Sequence, residues 1–239
     1  MKALIHAGGL GKRLGLEDIP KPMYKIDGKP ILEHNILLLK KHGIFDICIT
    51  THYKREIIED YFGDGGKLGV KIQYSFEKEL LGTSGALKNI EWFLDKNGSF
   101  LLLYGDNYTN INLKEMLSVH KVQNPIATIA LFDPTKSTNS RIAGGVITMD
   151  KDNNLLSFIE GKGNKAAGYV NAGVYVLDYK IINIIPTTSP SDFGKDIFPK
   201  LIENAFPLKG YLTDSFVIAI DTKDALTIAE EALRQGKSK

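Results

Sequence analysis

The chain has 239 residues, of which 43% are hydrophobic and 24% charged, and 30 basic against 28 acidic side chains give a formal net charge of +2. These proportions exclude disordered and fibrous classes, and at ~150 residues per domain the length allows one large domain or two small ones. No run of five like charges occurs, so the sequence favours neither a nucleic acid nor a membrane as partner.

The single cysteine, Cys48, lies in an apolar run, and one thiol can form neither an internal disulfide nor a thiolate metal cluster. We interpret it as a small buried hydrophobic residue. The apolar stretch near the N-terminus is too short for the hydrophobic part of a signal peptide, and no apolar segment approaches the ~18 residues of a membrane span. We therefore expect a soluble cytoplasmic protein.

In the first half of the chain, short apolar runs alternate with helical periodicity, which is typical of a parallel sheet wrapped by helices. The predicted strands are Ala3 to His6, Asp46 to Thr50, Val70 to Phe76 and Phe100 to Tyr104. Apolar residues at helical spacing predict three helices, on Leu32, Ile36 and Leu39, on Tyr53, Ile57 and Tyr61, and on Leu87, Ile90 and Leu94.

After Asp106 the pattern mixes helices and strands. The predicted elements are a helix over Leu113 to His120, strands near Ile126 to Phe132, Gly145 to Met149, Leu155 to Ile159 and Tyr169 to Leu177, a helix around Asp196 to Asn204, a strand over Phe216 to Ile220 and a helix from Thr222 to about Leu233. Neither a linker nor an internal repeat interrupts the chain. We predict a single domain, 1–239, in two lobes, about 1–106 and about 107–239.

A glycine-rich turn follows the first strand directly, with the sequence Ala7-Gly-Gly-Leu-Gly-Lys-Arg-Leu-Gly. Its glycines leave backbone N–H groups unshielded, so the turn can surround phosphate groups. Leu14 stands where a dinucleotide fingerprint needs its third glycine, and Arg13 stands where a P-loop needs Ser or Thr. Neither motif is present, and glycine and lysine are also common in ordinary turns. The turn nevertheless brings three cations to one strand end: Lys12, Arg13 and Lys21.

These residues resemble the signature of the sugar-1-phosphate nucleotidyltransferase family, Gly-Gly-x-Gly-x-Arg-Leu followed by Pro-Lys-Pro. The matching segments are Gly8 to Leu14 and Pro20 to Pro22, then Leu81 to Ala86, Tyr104-Gly105-Asp106, and Val170 to Tyr175. The resemblance spans nearly the whole chain, and within the family the chain looks most similar to mannose-1-phosphate and D-glycero-D-manno-heptose 1-phosphate guanylyltransferases.

The resemblance implies an α/β fold of the nucleotide-diphospho-sugar transferase type. This fold has a Rossmann-like mixed, mostly parallel sheet flanked by helices, and a mixed α/β lobe that binds the sugar. The lobe of about 1–106 would bind the nucleotide, and the lobe of about 107–239 the sugar phosphate.

The resemblance also assigns roles around the triphosphate. Arg13 and the amides of the glycine turn, Gly8, Gly9 and Gly11, would hold the triphosphate, together with Lys12, which stands where many relatives carry a hydroxyl. Lys21 would lie at the α-phosphate or the sugar phosphate, where charge builds up during transfer. Asp106 would bind Mg²⁺, which proteins hold by one or two carboxylates plus substrate phosphates. The alternative for Asp106 is an ordinary turn residue after glycine.

The resemblance implies that the nucleotide base binds to Gly82, Thr83 and Glu77. A glycine turn lets a base lie flat against the backbone, and Glu77 falls where relatives place a base-reading Gln or Glu. A carboxylate accepts hydrogen bonds only, which suits the N1–H and N2–H donors of guanine. Glu77 and Glu79 could equally be solvated charges in a polar turn.

Five residues are assigned to the sugar phosphate: Gly105, Glu160, Lys162, Asn171 and Gly173. A polar side chain and a missing one are hard to justify inside the apolar strand that carries Asn171 and Gly173. Lys162 is displaced by one residue from the family's Phe-x-Glu-Lys motif.

A second departure concerns the metal. Ala219 replaces the family's second metal aspartate, and Asp221 lies on the same face of the predicted strand. Asp221 would either supply the missing carboxylate or cap the last helix.

The resemblance implies an enzyme that makes an NDP-sugar and pyrophosphate from an NTP and a sugar 1-phosphate, with GTP and a mannose- or heptose-type 1-phosphate favoured. Two alternatives stay open. One is a cytidylyl-, uridylyl- or thymidylyltransferase for another phosphorylated acceptor. The other is a catalytically weak NDP-sugar-binding regulator, suggested by Ala219 and the displaced Lys162.

Overall fold

The computed structural model describes residues 1–9, 19–135, 144–161, 168–187, 190–220 and 223–234. The strands are β1 (Lys2–His6), β2 (Lys25–Ile26), β3 (Lys29–Pro30), β4 (Asp46–Thr51), β5 (Lys71–Phe76), β6 (Ser99–Tyr104), β7 (Asn107–Thr109), β8 (Ala127–Phe132), β9 (Val146–Met149), β10 (Leu155–Ile159), β11 (Tyr169–Asp178), β12 (Leu208–Leu212) and β13 (Val217–Ala219). The α-helices are α1 (Ile31–Lys41), α2 (Arg55–Phe62), α3 (Gly82–Asn89), α4 (Leu113–Gln123), α5 (Phe198–Glu203) and α6 (Lys223–Arg234). Each helix in these ranges is too short or too polar to cross a membrane.

One nine-stranded sheet runs through the molecule. Strands β6, β1, β4 and β5 lie side by side in that order and are parallel, each separated from the next in sequence by helical segments. The long strand β11 then pairs antiparallel with β6, and β8, β9, β10 and β12 extend the sheet beyond it. The predicted mixed sheet flanked by helices is therefore confirmed. The division into two lobes stays a prediction.

Helices form at the three predicted places in the first half, and two of them differ from the prediction. The third, α3, ends at Asn89, so Ile90 and Leu94 lie outside it and flank a separate 3₁₀ turn. In α1, Leu32, Ile36 and Leu39 are buried as predicted. In α2 the buried residues are Ile58 and Phe62, not the predicted stripe of Tyr53, Ile57 and Tyr61. Lys54 takes the left-handed conformation, with φ 47°, so the helix begins only at Arg55 and Tyr53 lies outside it. The buried face of α2 is displaced by one residue from the predicted stripe.

Four strands were not predicted from the sequence: β7, β12, and the pair β2 and β3, which have two residues each. β12 pairs with β8 and contains Lys209 and Gly210, which weaken its strand pattern. β7 has three residues and pairs antiparallel with β13 in a separate two-stranded sheet. The helix predicted from Asp196 is in fact a π-helical turn, Phe193–Ile197, followed by α5.

Apolar side chains form a core on each face of the main sheet. Cys48 is fully buried in one of these cores, as predicted. A third, smaller cluster contains Tyr24, Ile26, Tyr108 and Phe216, and α6 completes it through two buried alanines. This cluster packs together the segment after Lys21 and the strand after Asp106, and so fixes both ends of the site described below.

Candidate active site

A cleft opens at the carboxyl ends of β1 and β6. The chain proceeds from β1 to β4 and β5 on one side and then returns with β6 on the other side of β1, so the strand order reverses between these two strands. Open α/β sheets bind ligands at such a reversal. The cleft is lined by His6, Ala7, Gly8, Gly9, Lys21, Pro22, Thr83, Tyr104 and Asp106.

Lys21 and Asp106, predicted from separate motifs, meet in this cleft. The Nζ atom of Lys21 lies 3.1 Å from Oδ2 of Asp106, and the two side chains are 7% and 33% exposed. Lys21 begins a short 3₁₀ turn between Pro20 and Pro22, and proline fixes the backbone at such positions. A buried cation beside a partly exposed carboxylate is a suitable arrangement for binding phosphates and a divalent metal ion.

The glycines around the cleft serve different purposes. A Cβ at Gly9 would meet nothing within 4 Å in the described structure, so its backbone lies open to a ligand. A Cβ at Gly105 would lie 2.7 Å from the carbonyl oxygen of His6, so glycine is required there for close packing of β6 against β1. The Gly105 N–H also donates to that carbonyl, at 2.8 Å. Gly105 therefore has a structural role beside the predicted sugar contact.

Glu77 is buried, which excludes the solvated-charge interpretation for this residue, whereas Glu79 is exposed. Oε2 of Glu77 accepts the Leu81 N–H at 3.1 Å. Oε1 lies on the side of Gly8, where an added Cβ would come within 3.5 Å of it. Burial raises the pKa of Glu77, although the Leu81 N–H, His52 and Thr50 partly oppose this change.

The N-terminus of α3 carries Gly82 and Thr83 and is held by a distant segment. The N–H and the hydroxyl of Thr83 both donate to Oδ1 of Asp192, at 3.1 and 3.2 Å. A carboxylate at this position satisfies free N–H groups and complements the helix dipole. Gly82, with φ +73°, packs on the backbone of Ser191 and leaves no space for a Cβ. The sequence analysis missed Asp192.

Asn171 and Gly173 have structural partners that the sequence analysis did not anticipate. The side chain of Asn171 donates to the Tyr175 hydroxyl at 2.7 Å and accepts from the Gly173 N–H at 3.0 Å. Gly173 has φ +68°, and a Cβ there would lie 2.5 Å from Nδ2 of Asn107. The premise that neither residue has a structural use is therefore wrong. Their contact with a sugar stays a prediction.

Two tyrosines connect this strand to α3. Tyr175 donates from its hydroxyl to that of Tyr104 at 3.3 Å, and burial raises the pKa of Tyr104 to about 12. A hydrogen bond with Thr83 acts in the opposite direction on the pKa of Tyr104. The predicted sugar side and the predicted nucleotide side are thus joined by hydrogen bonds.

Glu160 lies at the edge of this region. Its carboxylate packs against Gly145 and Gly194, where an added Cβ would collide with Oε2. Partial burial raises the pKa of Glu160, the cation of Lys195 lowers it and the carboxylate of Asp192 raises it further.

Several predicted residues lie outside the described part of the chain: Gly11, Lys12, Arg13, Lys162 and Asp221. Ala219 is described and ends β13, paired with Asn107. The next residue, Ile220, donates its N–H to the Asp106 carbonyl at 3.1 Å. Within the described ranges, the structure contains no cluster of three or more His, Cys, Asp or Glu side chains suited to a metal ion.

The fold and the cleft define a nucleotide-binding α/β enzyme whose site is equipped for phosphoryl chemistry. The nucleotidyl transferase family model matches residues 2–216. The chain belongs to the nucleotidyl transferase family, since this match covers most of its length, and it is a nucleotidyltransferase.

Individual relatives support the same family. The chain is 37% identical over 219 residues to D-glycero-alpha-D-manno-heptose 1-phosphate guanylyltransferase of Campylobacter jejuni, covering 90% of this chain and 94% of the relative. It is 34% identical to a UTP--glucose-1-phosphate uridylyltransferase of Synechocystis over 87% of this chain, and spans 56% of that longer relative. The crystal structure of HddC from Yersinia pseudotuberculosis complexed with GMP-PN has a TM-score of 0.81 and 29% identity, over 97% of this chain and 99% of that one.

Proposed function

We propose that the protein transfers a guanylyl group from GTP to a mannose- or heptose-type sugar 1-phosphate, giving a GDP-sugar and pyrophosphate. An oxygen of the sugar phosphate attacks the α-phosphorus of GTP, and the bond from that phosphorus to the pyrophosphate oxygen breaks. The observation that carries the proposal is the contact between Lys21 and Asp106 in the cleft. The choice of sugar and base is supported by guanylyltransferase relatives that match this chain over almost their full length.

The reaction needs alignment and neutralisation of charge more than a general base, because both reacting phosphates are already ionised. Lys21 is held in place by burial and by its neighbouring prolines, so its ammonium group does not have to be ordered when the substrates arrive. We assign it to the phosphate that carries the developing charge. Gly9 and the following residues Gly11, Lys12 and Arg13 are proposed for the remaining triphosphate oxygens.

The Asp106 carboxylate is suited to bind a magnesium ion. Its carboxylate is one third exposed at a strand end and faces the cleft. Since Mg²⁺ in such sites is held by one or two carboxylates plus phosphates, a single protein carboxylate is sufficient. The ion would neutralise phosphate charge when bound. Without it, Lys21 neutralises Asp106. Asp221 is a candidate second ligand, and capping of α6 is the alternative role.

Glu77 is proposed to read guanine. Its carboxylate lies behind the glycine turn and is held by the Leu81 N–H through Oε2. Oε1 is directed to the Gly8 side. The sugar is proposed to bind near Gly105, Glu160, Lys162, Asn171 and Gly173. Hydrogen bonds from Asn171 to Tyr175 and from Tyr175 to Tyr104 connect this side to the cleft. We expect the reaction to take place in the cytoplasm, where nucleoside triphosphates are made.

A matrix of the five common nucleoside triphosphates against mannose, heptose and glucose 1-phosphates, with Mg²⁺ and pyrophosphate release as readout, tests the proposal. GTP with a mannose-type acceptor should give the highest kcat/KM. UTP with glucose 1-phosphate is the second candidate, favoured by the 34% identity to the Synechocystis enzyme. Absence of product from every pair would contradict transfer and fit a regulator that only binds an NDP-sugar.

A further inference from the structure

His6 ends β1 at the floor of the cleft. Its imidazole is half-buried and lies beside Tyr104, with ring centroids 5.9 Å apart. Nδ1 of His6 lies 3.2 Å from Oγ1 of Thr50. Nε2 is buried and has no hydrogen-bond partner among the described residues. Because burial lowers the pKa of His6 to about 4, the ring is neutral at physiological pH, with one donor and one acceptor nitrogen.

The Nδ1 side of His6 is occupied within the protein. Oγ1 of Thr50 lies 3.2 Å from Nδ1, and the Thr50 hydroxyl is also close enough to the Glu77 carboxylate to lower its pKa. Nε2 is therefore the ring nitrogen that remains for a ligand.

The described residues near Nε2 complete no hydrogen bond with it. The carbonyl of Thr83 and the carboxylate of Asp192 both raise the pKa of His6, so both lie near its ring. The Tyr104 hydroxyl is engaged with Tyr175 and Thr83. A buried polar atom without a partner costs free energy, which a ligand that brings a hydrogen-bonding group to this place recovers.

We propose that His6 is a specificity-determining residue whose Nε2 forms a hydrogen bond with a hydroxyl group of a bound sugar. The hydroxyl comes either from the acceptor sugar or from the ribose of the nucleotide. The proposal rests on the proposed function.

The contact is measurable without turnover. In nitrogen NMR of histidine-labelled protein, with His6 assigned from the signal lost in His6→Asn, the Nε2 signal should shift when the substrate that carries the recognised hydroxyl binds, and less when its deoxy analogue binds. Equal shifts with every substrate and its deoxy analogues would overturn the proposal.

The recognised hydroxyl is found by kinetics with substrates that lack single hydroxyl groups. His6→Asn keeps an amide nitrogen near the Nδ1 position, whereas His6→Gln restores an amide oxygen near the Nε2 position. Wild type should discriminate against one deoxy substrate by roughly 5- to 10-fold in kcat/KM, the size expected for one hydrogen bond. His6→Asn should lose that discrimination, and His6→Gln should recover part of it.

The two sources of the hydroxyl are separated by the substrate that responds. A response to a monodeoxy sugar 1-phosphate identifies the acceptor sugar, and a response to 2′- or 3′-deoxy-GTP identifies the ribose. Equal discrimination by wild type and His6→Asn against every deoxy substrate would refute the role of His6 alone. No turnover with any substrate would refute the proposed function, and the NMR titration would still decide whether Nε2 of His6 contacts a bound sugar.

Discussion

Replacing Lys21 with methionine removes the cation from the cleft and keeps most of the aliphatic stem. Nζ of Lys21 lies 3.1 Å from Asp106, so at an effective dielectric constant of ~20 the pair attracts by about 5 kcal/mol before the cost of desolvation is subtracted. Asp106 remains one third exposed, so water compensates for most of this loss in the free enzyme. We expect a net loss in the free energy of unfolding of about 1–2 kcal/mol, or roughly 2–8 °C in melting temperature.

The effect on catalysis should be larger. During transfer the Lys21 ammonium faces phosphate oxygens that gain charge, and loss of one preorganised donor at such a place costs about 2.7–4 kcal/mol, or ~10²–10³-fold in kcat. The assay is pyrophosphate release with the best substrate pair at saturating Mg²⁺. Lys25→Met is the matched control, since Lys25 is an exposed lysine on β2, four residues further along the chain, and should leave the rate unchanged.

Comparable rates for the Lys21→Met and Lys25→Met variants would show that the cleft between β1 and β6 is not the phosphate site. A rate loss that follows the melting temperature and disappears on cooling would show that Lys21 acts only on folding. Either result would refute the proposal that the Lys21 ammonium stabilises the charge on the reacting phosphates.

Four further outcomes are expected. Asp106→Asn should abolish turnover, and an active variant would remove Asp106 from the metal site; its metal-free melting temperature should fall at least as much as that of Lys21→Met, because the buried Lys21 ammonium loses the carboxylate charge beside it. Glu77→Gln should reduce the ratio of GTP to ATP turnover, because the amide can donate to adenine N1, whereas an unchanged ratio would mean that Glu77 does not read the base. Gly173→Ala should lower the free energy of unfolding by about 1–3 kcal/mol in urea titrations, since the left-handed backbone and the nearby Asn107 both oppose a Cβ; an unchanged midpoint would contradict this. Burial raises the pKa of Cys48 to about 12, so its thiol should resist a disulfide reagent at pH 8 until the protein is unfolded, and rapid labelling of the native protein would contradict its burial.

The parallel strands could be predicted because strands buried on both faces are continuous apolar runs. β1, β4 and β6 are of this kind, whereas β5 is an edge strand with alternating exposed and buried residues. The chemistry at the carboxyl ends of the parallel strands followed from the strand order. Lys21 and Asp106 therefore lie next to each other at the carboxyl ends of these strands. The short strands β7 and β12 could not be predicted, since pairing with distant strands, and not local pattern, makes them strands.

Asp192 shows why part of the site was missed. In the sequence, nothing near Asp192 connects it with Thr83. Its side chain does not cap the helical turn that follows it, and instead caps α3, 109 residues earlier in the chain. His6 was read only as the last residue of a strand. Its importance depends on Thr50 and Glu77, which come into contact only through the sheet register.

The bond between Thr83 and Asp192 also has a consequence for synthesis of the protein. At about 5–20 residues per second, the ribosome needs roughly 5 to 20 s to extend the chain across the 109 residues between them. During that time the start of α3 lacks its carboxylate, although the strands around it are already made. Chimeras that join an N-terminal half from one relative to a C-terminal half from another must therefore keep Thr83, Ser191 and Asp192 from the same parent.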